Sequence, residues 1–356
     1  MLPPLARFGI ALGLTFIAAA LALPPAVASD IGRDYSDWQT PTPLPPALAT
    51  ATDSGTAVTW KVSEPVLVPG TDGGFDSIAV KDPSIVHEAG AWHVFYTARG
   101  PLGYSLGYVQ AKSLAALSTA KRTPLRNLGT GPDAYAAAPQ VFYFAPQGTW
   151  YLVYQTTSAH YQPAYSTNTD IQNPLGWTAP RSLVEKTEAA KWIDFWVIGD
   201  DNRMYLFYTR NHERVWMMST AIESFPAGFS APCEVFGPVH EAVHVYRVQG
   251  RAAWHMLYEL RASDGTRRFG LAEAPALAGP WRGITEAYAT PAQLVWRPAS
   301  APWTEEVSHG EFIRTGNDQT IPYNEDRPKL LIQGLRKDQR VSDYAQLPWR
   351  LGLLQR

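Results

Sequence analysis

Asp82, Asp194, Glu241 and His309 stand at matching places in a chain that repeats itself. Gathered in one place, they could do acid–base chemistry on a sugar. Glycoside hydrolysis needs one carboxylic acid to protonate the leaving oxygen and one carboxylate working from the opposite face of the ring. Asp82 and Glu241 can fill those roles. Asp194 beside Glu241 would raise its pKa by like-charge repulsion and keep it protonated near neutral pH. His309 could ligate a metal on a central axis or orient a carboxylate.

The elements that must position these residues are strand pairs. Asp82 heads Ala79-Val-Lys-Asp-Pro-Ser-Ile-Val-His87, which turns at Gly90 into Trp92-His-Val-Phe-Tyr-Thr97, the pattern of a β-hairpin. Taken alone, Asp-Pro before a strand is a turn former. The pattern returns, however, at Ala138-Pro-Gln-Val-Phe-Tyr-Phe144 with Trp150-Tyr-Leu-Val-Tyr-Gln155, and at Asp194-Phe-Trp-Val-Ile198 with Met204-Tyr-Leu-Phe-Tyr-Thr209. It returns again at Glu241-Ala-Val-His-Val-Tyr246 with Trp254-His-Met-Leu-Tyr-Glu259, and at His309-Gly-Glu-Phe-Ile313 with Lys329-Leu-Leu-Ile-Gln333. The leading positions 82, 138, 194, 241 and 309 are spaced by 56, 56, 47 and 68 residues, the size of a propeller blade. An all-β, five-bladed β-propeller follows, with later strands such as Trp216–Thr220 and Arg268–Ala272 completing the blades. Blade closure falls to Leu347–Leu354 or to the strand near Trp60.

Composition agrees. Trp, Tyr, Phe, Val, Gly and Pro are plentiful, and 46% hydrophobic content supplies a large core. A net charge of -2 points neither to nucleic acid nor to an anionic membrane surface. Residues 1–28 read as an export signal: Arg7, an apolar run from Phe8 to Leu23, and small residues at Ala26-Val-Ala28. Residues 29–57 form a Pro/Thr/Ala-rich linker, and 58–356 form the propeller. A secreted protein without a membrane segment in its mature form is expected, working as a monomer. Cys233 is alone, excludes an internal disulfide, and is expected as a small buried residue.

Other chemistries lack their motifs. No Gly-rich phosphate loop follows a strand, and neither a paired-His metal motif nor a Ser nucleophile elbow occurs. His212 has no ligand-spaced partner and is expected at a blade edge. Trp92, Trp150 and Trp254 recur at one repeat position and are expected in the core. Trp192 and Trp196 flank Asp194 and are the tryptophans expected to face a ligand.

Several motifs resemble glycoside hydrolase family 62, the α-L-arabinofuranosidases acting on arabinoxylan, which is related to family 43. They are Ala79–Ser84, Ala137–Phe144, Trp192–Ile198, Phe225-Pro-Ala-Gly-Phe229, Glu241–Tyr246, Ser308-His-Gly-Glu311 and Asp343-Tyr-Ala-Gln-Leu-Pro-Trp-Arg350. The resemblance runs from about Trp60 to the C-terminus. It implies Asp82 as general base, Asp194 as pKa modulator and Glu241 as general acid, working with inversion on terminal arabinofuranosyl groups. It also implies calcium at His309, and Lys81 and Tyr344 in the sugar pocket, with an arabinose-substituted polysaccharide as partner. Three positions depart from the pattern: Ala345 replaces an Asn, Thr156 a Trp, and Gly270 an Arg, each removing a group that could hold xylan. A family-43-like hydrolase of another pentoside or furanoside, or a non-catalytic carbohydrate-binding propeller, are the alternatives.

Overall fold

A computed structural model describes residues 58–129, 134–156, 162–186, 188–297 and 300–356. The expected signal segment and linker, residues 1–57, lie outside the described residues. The chain enters through a short strand, β1 (Trp60–Val62), and then builds blades in order. Blade 1 holds β2 (Ala79–Glu88), β3 (Ala91–Gly100), β4 (Gly103–Ala111) and β5 (Arg122–Pro124). Blade 2 holds β6 (Ala137–Phe144), β7 (Thr149–Gln155), β8 (Ala164–Asn168) and β9 (Arg181–Ser182). Blade 3 holds β10 (Trp192–Gly199), β11 (Arg203–Arg210), β12 (Arg214–Ala221) and β13 (Cys233–Phe236). Blade 4 holds β14 (Glu241–Val248), β15 (Trp254–Arg261), β16 (Arg267–Ala274) and β17 (Arg282–Ala289).

The last blade is a composite. It contains β18 (Leu294–Val295), β19 (Ser308–Phe312), β21 (Lys329–Gly334) and β22 (Arg350–Gln355), in the order β18-β1-β22-β21-β19, while β20 (Pro322–Tyr323) adds to blade 4. Both strands proposed for closure therefore serve: β22 is the third strand of blade 5, and β1 pairs with it antiparallel. The architecture is the five-bladed propeller expected, and its helical segments, among the described residues, are short 3-10 stretches.

The innermost strands carry a shared irregularity. Each has a register shift against its neighbour, between Lys81 and Ser84, Ala137 and Gln140, Ile193 and Trp196, Glu241 and His244, and Ser308 and Glu311. Inside each shift one residue takes a left-handed backbone: Asp82 (φ 48°), Ala138 (49°), Asp194 (58°), Ala242 (54°) and His309 (24°). A bulge of this kind bends the strand and re-aims its side chains, and a non-glycine residue in that conformation costs about 1–3 kcal/mol. The repeat thus corrects one position. In blade 4 the equivalent residue is Ala242, and Glu241 stands one place earlier, in register with Lys81.

Two rings of hydrogen bonds hold the bulges. In the upper ring a polar residue near the end of a second strand accepts the bulge amide of the next blade. Thr97 accepts from Ala138 (2.7 Å), Gln155 from Asp194 (3.4 Å), Glu259 from His309 (2.8 Å) and Gln333 from Asp82 (2.8 Å). At the junction of blades 3 and 4 the Asp194 carboxylate takes over, accepting from Ala242 at 2.9 Å, while the Thr209 hydroxyl is buried without a partner. The lower ring uses the second residue after each bulge. Ser84 accepts from Val141 N–H (3.0 Å), Gln140 bonds both N–H and C=O of Val197 (2.7 Å each), and Trp196 donates to Val245 C=O (2.7 Å). His244 meets Gly310 C=O at 2.9 Å, and Glu311 accepts from Ile85 N–H at 3.3 Å. Each buried link satisfies a backbone group that would otherwise cost about 1–3 kcal/mol.

The lower end of the channel is closed by the segment between β19 and β21. Its Asn317, Gln319 and Ile321 carbonyls accept from Tyr143, Gly199 and Arg247 of blades 2, 3 and 4. Arg314 on the same segment pairs with Glu311 at 2.6 Å. At the bulge end the innermost strands line a pocket.

Candidate active site

Five bulges facing one opening bring the separated acids together. Asp82, Asp194, Glu241 and His309 line one pocket, with Lys81, Gln155 and the aromatic pair Tyr104 and Tyr135. All four are at least nine-tenths buried. The His309 Nδ1 stands 3.3 Å from Asp82 Oδ1 and 4.0 Å from Asp194 Oδ1, so one imidazole lies between two carboxyls. Lys81 Nζ is 3.6 Å from the other Asp82 oxygen and donates to Tyr344 Oη at 3.0 Å. Burial alone would lower the Lys81 pKa, but Asp82, Tyr344 and Tyr104 outweigh it and hold it well above the usual lysine value.

Glu241 is placed differently from expectation. Its carboxyl pairs with the Arg267 guanidinium of β16, which also donates to Glu259 Oε1 at 2.7 Å. Burial pushes the Glu241 carboxyl up, yet Arg267, His240 and His212 together hold it well below the usual carboxylate range. Asp194 moves upward instead: burial raises it, the His309 charge opposes, and Glu241 and Asp82 add to the rise. The expected upward push of Asp194 on Glu241 is outweighed by the buried Arg267 guanidinium, which pairs with that carboxyl.

Arg267 and Glu259 are functional candidates that the sequence had not singled out. Glu259 is pushed up to about 7, by burial first, with Arg267 opposing and Glu241 adding. It accepts from Ser308 Oγ and His309 N–H on its other oxygen, each at 2.8 Å. Four carboxyls (Asp82, Asp194, Glu241, Glu259) thus face three cationic groups (Lys81, Arg267, His309). Low-dielectric surroundings penalise unbalanced charge and so favour protons on buried carboxyls, of which Asp194 and Glu259 are the two in this cluster pushed upward. The signal was visible in the repeat: the second-strand motifs close on Thr97, Gln155, Thr209, Glu259 and Gln333, and blade 4 alone has an acid there.

Several expectations change. Trp196 does not face a ligand. It is 1% exposed, stacks on His244 at 4.2 Å and spends its N–H on the lower ring, at the place held by Ser84, Gln140, His244 and Glu311 in the other blades. Trp192 is buried against Tyr208. Thr156 is buried, and Gly270 lies under the Tyr258 ring, where a Cβ would come within 2.4 Å of it. Ala345, by contrast, packs with Tyr104, Tyr135 and Ala137 beside the pocket. Cys233 is exposed, since it opens the outermost strand of blade 3. His212 is no isolated edge residue: it stands 3.4 Å from Glu241 Oε2, with its ring stacked on His240.

The expected calcium at His309 would need oxygen donors beyond that ring. Calcium takes six to eight oxygens. The His309 Nδ1 is turned to Asp82 and Asp194, and the neighbouring Glu311 is neutralised by Arg314. Among the described residues, the metal-type donors that come together in threes are His212, His240 and Glu241, a set without His309.

Comparison with known proteins gives matches over most of the chain. The family model for glycosyl hydrolase family 62 matches residues 70–355. Alpha-L-arabinofuranosidase C of Cellvibrio japonicus is 31% identical over 307 residues, covering 83% of this chain and 46% of that protein. This chain therefore spans about half the length of that curated relative. The solved catalytic domain of a Coprinopsis cinerea family 62 α-L-arabinofuranosidase is 37% identical, with a TM-score of 0.77, covering 84% of this chain and 97% of that one. An α-L-arabinofuranosidase of Podospora anserina in complex with cellotriose is 32% identical, with a TM-score of 0.76, covering 84% and 96%. A family 62 hydrolase in complex with xylotriose is 30% identical, with a TM-score of 0.77, covering 85% and 99%. Family 43 structures at 12–16% identity share the fold.

Proposed function

The chain belongs to glycosyl hydrolase family 62, and from that premise we propose that its channel mouth is the active site of an exo-acting α-L-arabinofuranosidase. The observation carrying this reading is the convergence of Asp82, Asp194 and Glu241 from three blades on one pocket that also holds Lys81 and His309. The substrate is a terminal arabinofuranosyl group on arabinoxylan or a related plant polysaccharide. The relatives solved with xylotriose and cellotriose support a β-linked glycan backbone outside the pocket. Export, expected from residues 1–28, suits a polymeric substrate.

In this mechanism Asp82 deprotonates a water for attack on the anomeric carbon. Its bulge conformation, the Gln333 bond to its amide, and the flanking Lys81 and His309 fix its orientation. Glu241, from blade 4, protonates the leaving oxygen. The two carboxyls come from non-adjacent blades, which supports inversion, since a water must fit between base and sugar.

Glu241 needs a proton before it can act. Arg267 binds both Glu241 and Glu259 through one nitrogen, so a proton on either acid strengthens its hold on the other. A proton held on Glu259 can therefore move to Glu241 without leaving Arg267 unpaired. No step runs through calcium.

The test is hydrolysis of an aryl α-L-arabinofuranoside and of arabinoxylan, with the first-formed anomer read by NMR. Glu241→Gln and Asp82→Asn are expected to lower the rate by about 10²–10⁴-fold while leaving the melting temperature in place. Near wild-type rates in both variants, or arabinose of retained configuration, would refute these roles.

A further inference from the structure

On the far side of Glu241 lies a second convergence, whose two histidines the reaction above does not use. His212 sits in the turn joining β11 to β12 in blade 3, and His240 immediately precedes β14 in blade 4. The turn is held in an uncommon shape, with Asn211 at φ 54° and His212 at φ 57°. Asn211 Oδ1 accepts from Lys191 N–H at 2.9 Å, and Glu213 C=O accepts from Val239 N–H at 3.0 Å, which ties the turn to the approach of β14. The strained backbone is thereby fixed so that the two imidazoles stack, centroids 5.0 Å apart and 26° between planes.

Both rings address the side of Glu241 that Arg267 leaves alone. Glu241 Oε2 is 3.4 Å from His212 Nδ1 and 3.8 Å from His240 Nε2, whereas Arg267 takes Oε1. Neither Oε2 nor His240 Nε2 has a hydrogen-bond partner, although both are buried. Two imidazoles and a carboxylate offer donor atoms that all lie within 4.8 Å of one another. Ligands on a tetrahedral ion with bonds of about 2.0–2.1 Å stand roughly 3.3 Å apart, so small side-chain rotations close the set. Nitrogen-rich donors of this kind suit zinc and its neighbours over calcium, and three protein ligands leave the fourth position open.

We propose that His212, His240 and Glu241 form a site for a zinc-class divalent cation, and that filling it inhibits hydrolysis reversibly. The cation would occupy the Glu241 oxygen that is not paired with Arg267 and prevent the carboxyl from carrying a proton. The inhibitory half rests on Glu241 being the general acid; the metal site itself does not.

The experiment uses the full chain, stripped with a chelator and then supplied with excess calcium. Cobalt(II) titration should give visible d–d absorption, and zinc chloride should lower arabinofuranoside hydrolysis at least about tenfold, with recovery on adding a chelator. His212→Ala and His240→Ala, each compared with its own metal-free rate, should need at least about tenfold more zinc for half-inhibition, already the cost of disturbing a metal's surroundings. Should an alanine variant melt below the assay temperature, His212→Gln and His240→Gln replace it. Equal zinc sensitivity in wild type and variants would overturn the proposal, as would the absence of cobalt absorption. Cobalt absorption lost in the variants but zinc without effect on the rate would keep the metal site and refute both the inhibition and the role of Glu241 as acid.

Discussion

Replacing Asp194 separates two functions that its carboxylate combines. It is the acceptor for Ala242 N–H at 2.9 Å, closing the upper ring where the Thr209 hydroxyl does not, and it is a charge 4.0 Å from His309. Asp194→Asn keeps an oxygen for the amide and removes the charge; Asp194→Ala removes both. A buried N–H that loses its acceptor costs about 1–3 kcal/mol, and each kcal/mol moves the melting point of a domain near this size by roughly 2–4 °C. Asp194→Ala should therefore melt about 2–12 °C below wild type. Asp194→Asn should stay within about 2 °C, because the hydrogen bond survives. Both should lose about 10²–10⁴-fold in kcat, the range of acid–base assistance. Thermal melts and initial rates on an aryl arabinofuranoside measure the two effects independently. If the asparagine variant melts as low as the alanine variant, the ring is not what the carboxylate supports. If it keeps activity within tenfold of wild type, the charge is not needed for the chemistry.

Glu259→Gln should leave Arg267 to Glu241 alone, hold that carboxyl lower, and move the alkaline limb of the pH–rate profile to lower pH; an unmoved limb would uncouple the two acids. Glu259 also has a folded-state pKa raised to about 7 from 4.5, so its stabilising contribution is full below 4.5 and fades as pH rises to about 7. The melting point of Glu259→Gln relative to wild type should consequently rise between pH 5 and pH 8, and a falling difference would contradict the assignment. Gly270→Ala puts a Cβ within 2.4 Å of the Tyr258 ring and should cost about 1–3 kcal/mol in urea denaturation, with wild-type stability arguing against the close approach.

Much of this fold was written in alternation and spacing. Hairpins such as Ala79–Glu88 with Ala91–Gly100 carry apolar runs and a Gly turn in sequence, and they pair as expected. What spacing could not give was the single-residue offset in blade 4. Glu241 and Ala242 both sit at the strand head, and only the backbone shows which one takes the left-handed conformation. Trp196 was misjudged because adjacency to Asp194 in sequence was taken for adjacency to a ligand. Two residues past a bulge, a side chain points to the next blade instead. Arg267 escaped notice since it heads a third strand, where the repeat offers no counterpart. His212 and His240 belong to different blades, and no ligand spacing in sequence could have joined them.

The composite last blade also governs how the molecule can form. Lys61 of β1 pairs with Gln355 of β22, so the two ends of the described chain are neighbouring strands of one sheet. Blades 1 to 4 are built on local hairpins, but the fifth is complete only when β22 is seated between β1 and β21. Such distant pairing slows folding and, once made, places the rate of opening in the hands of one seam. A circularly permuted chain, with these ends joined and new ends cut at the exposed 262–266 turn, would move that seam into blade 4 and turn the slow closing step into a local one.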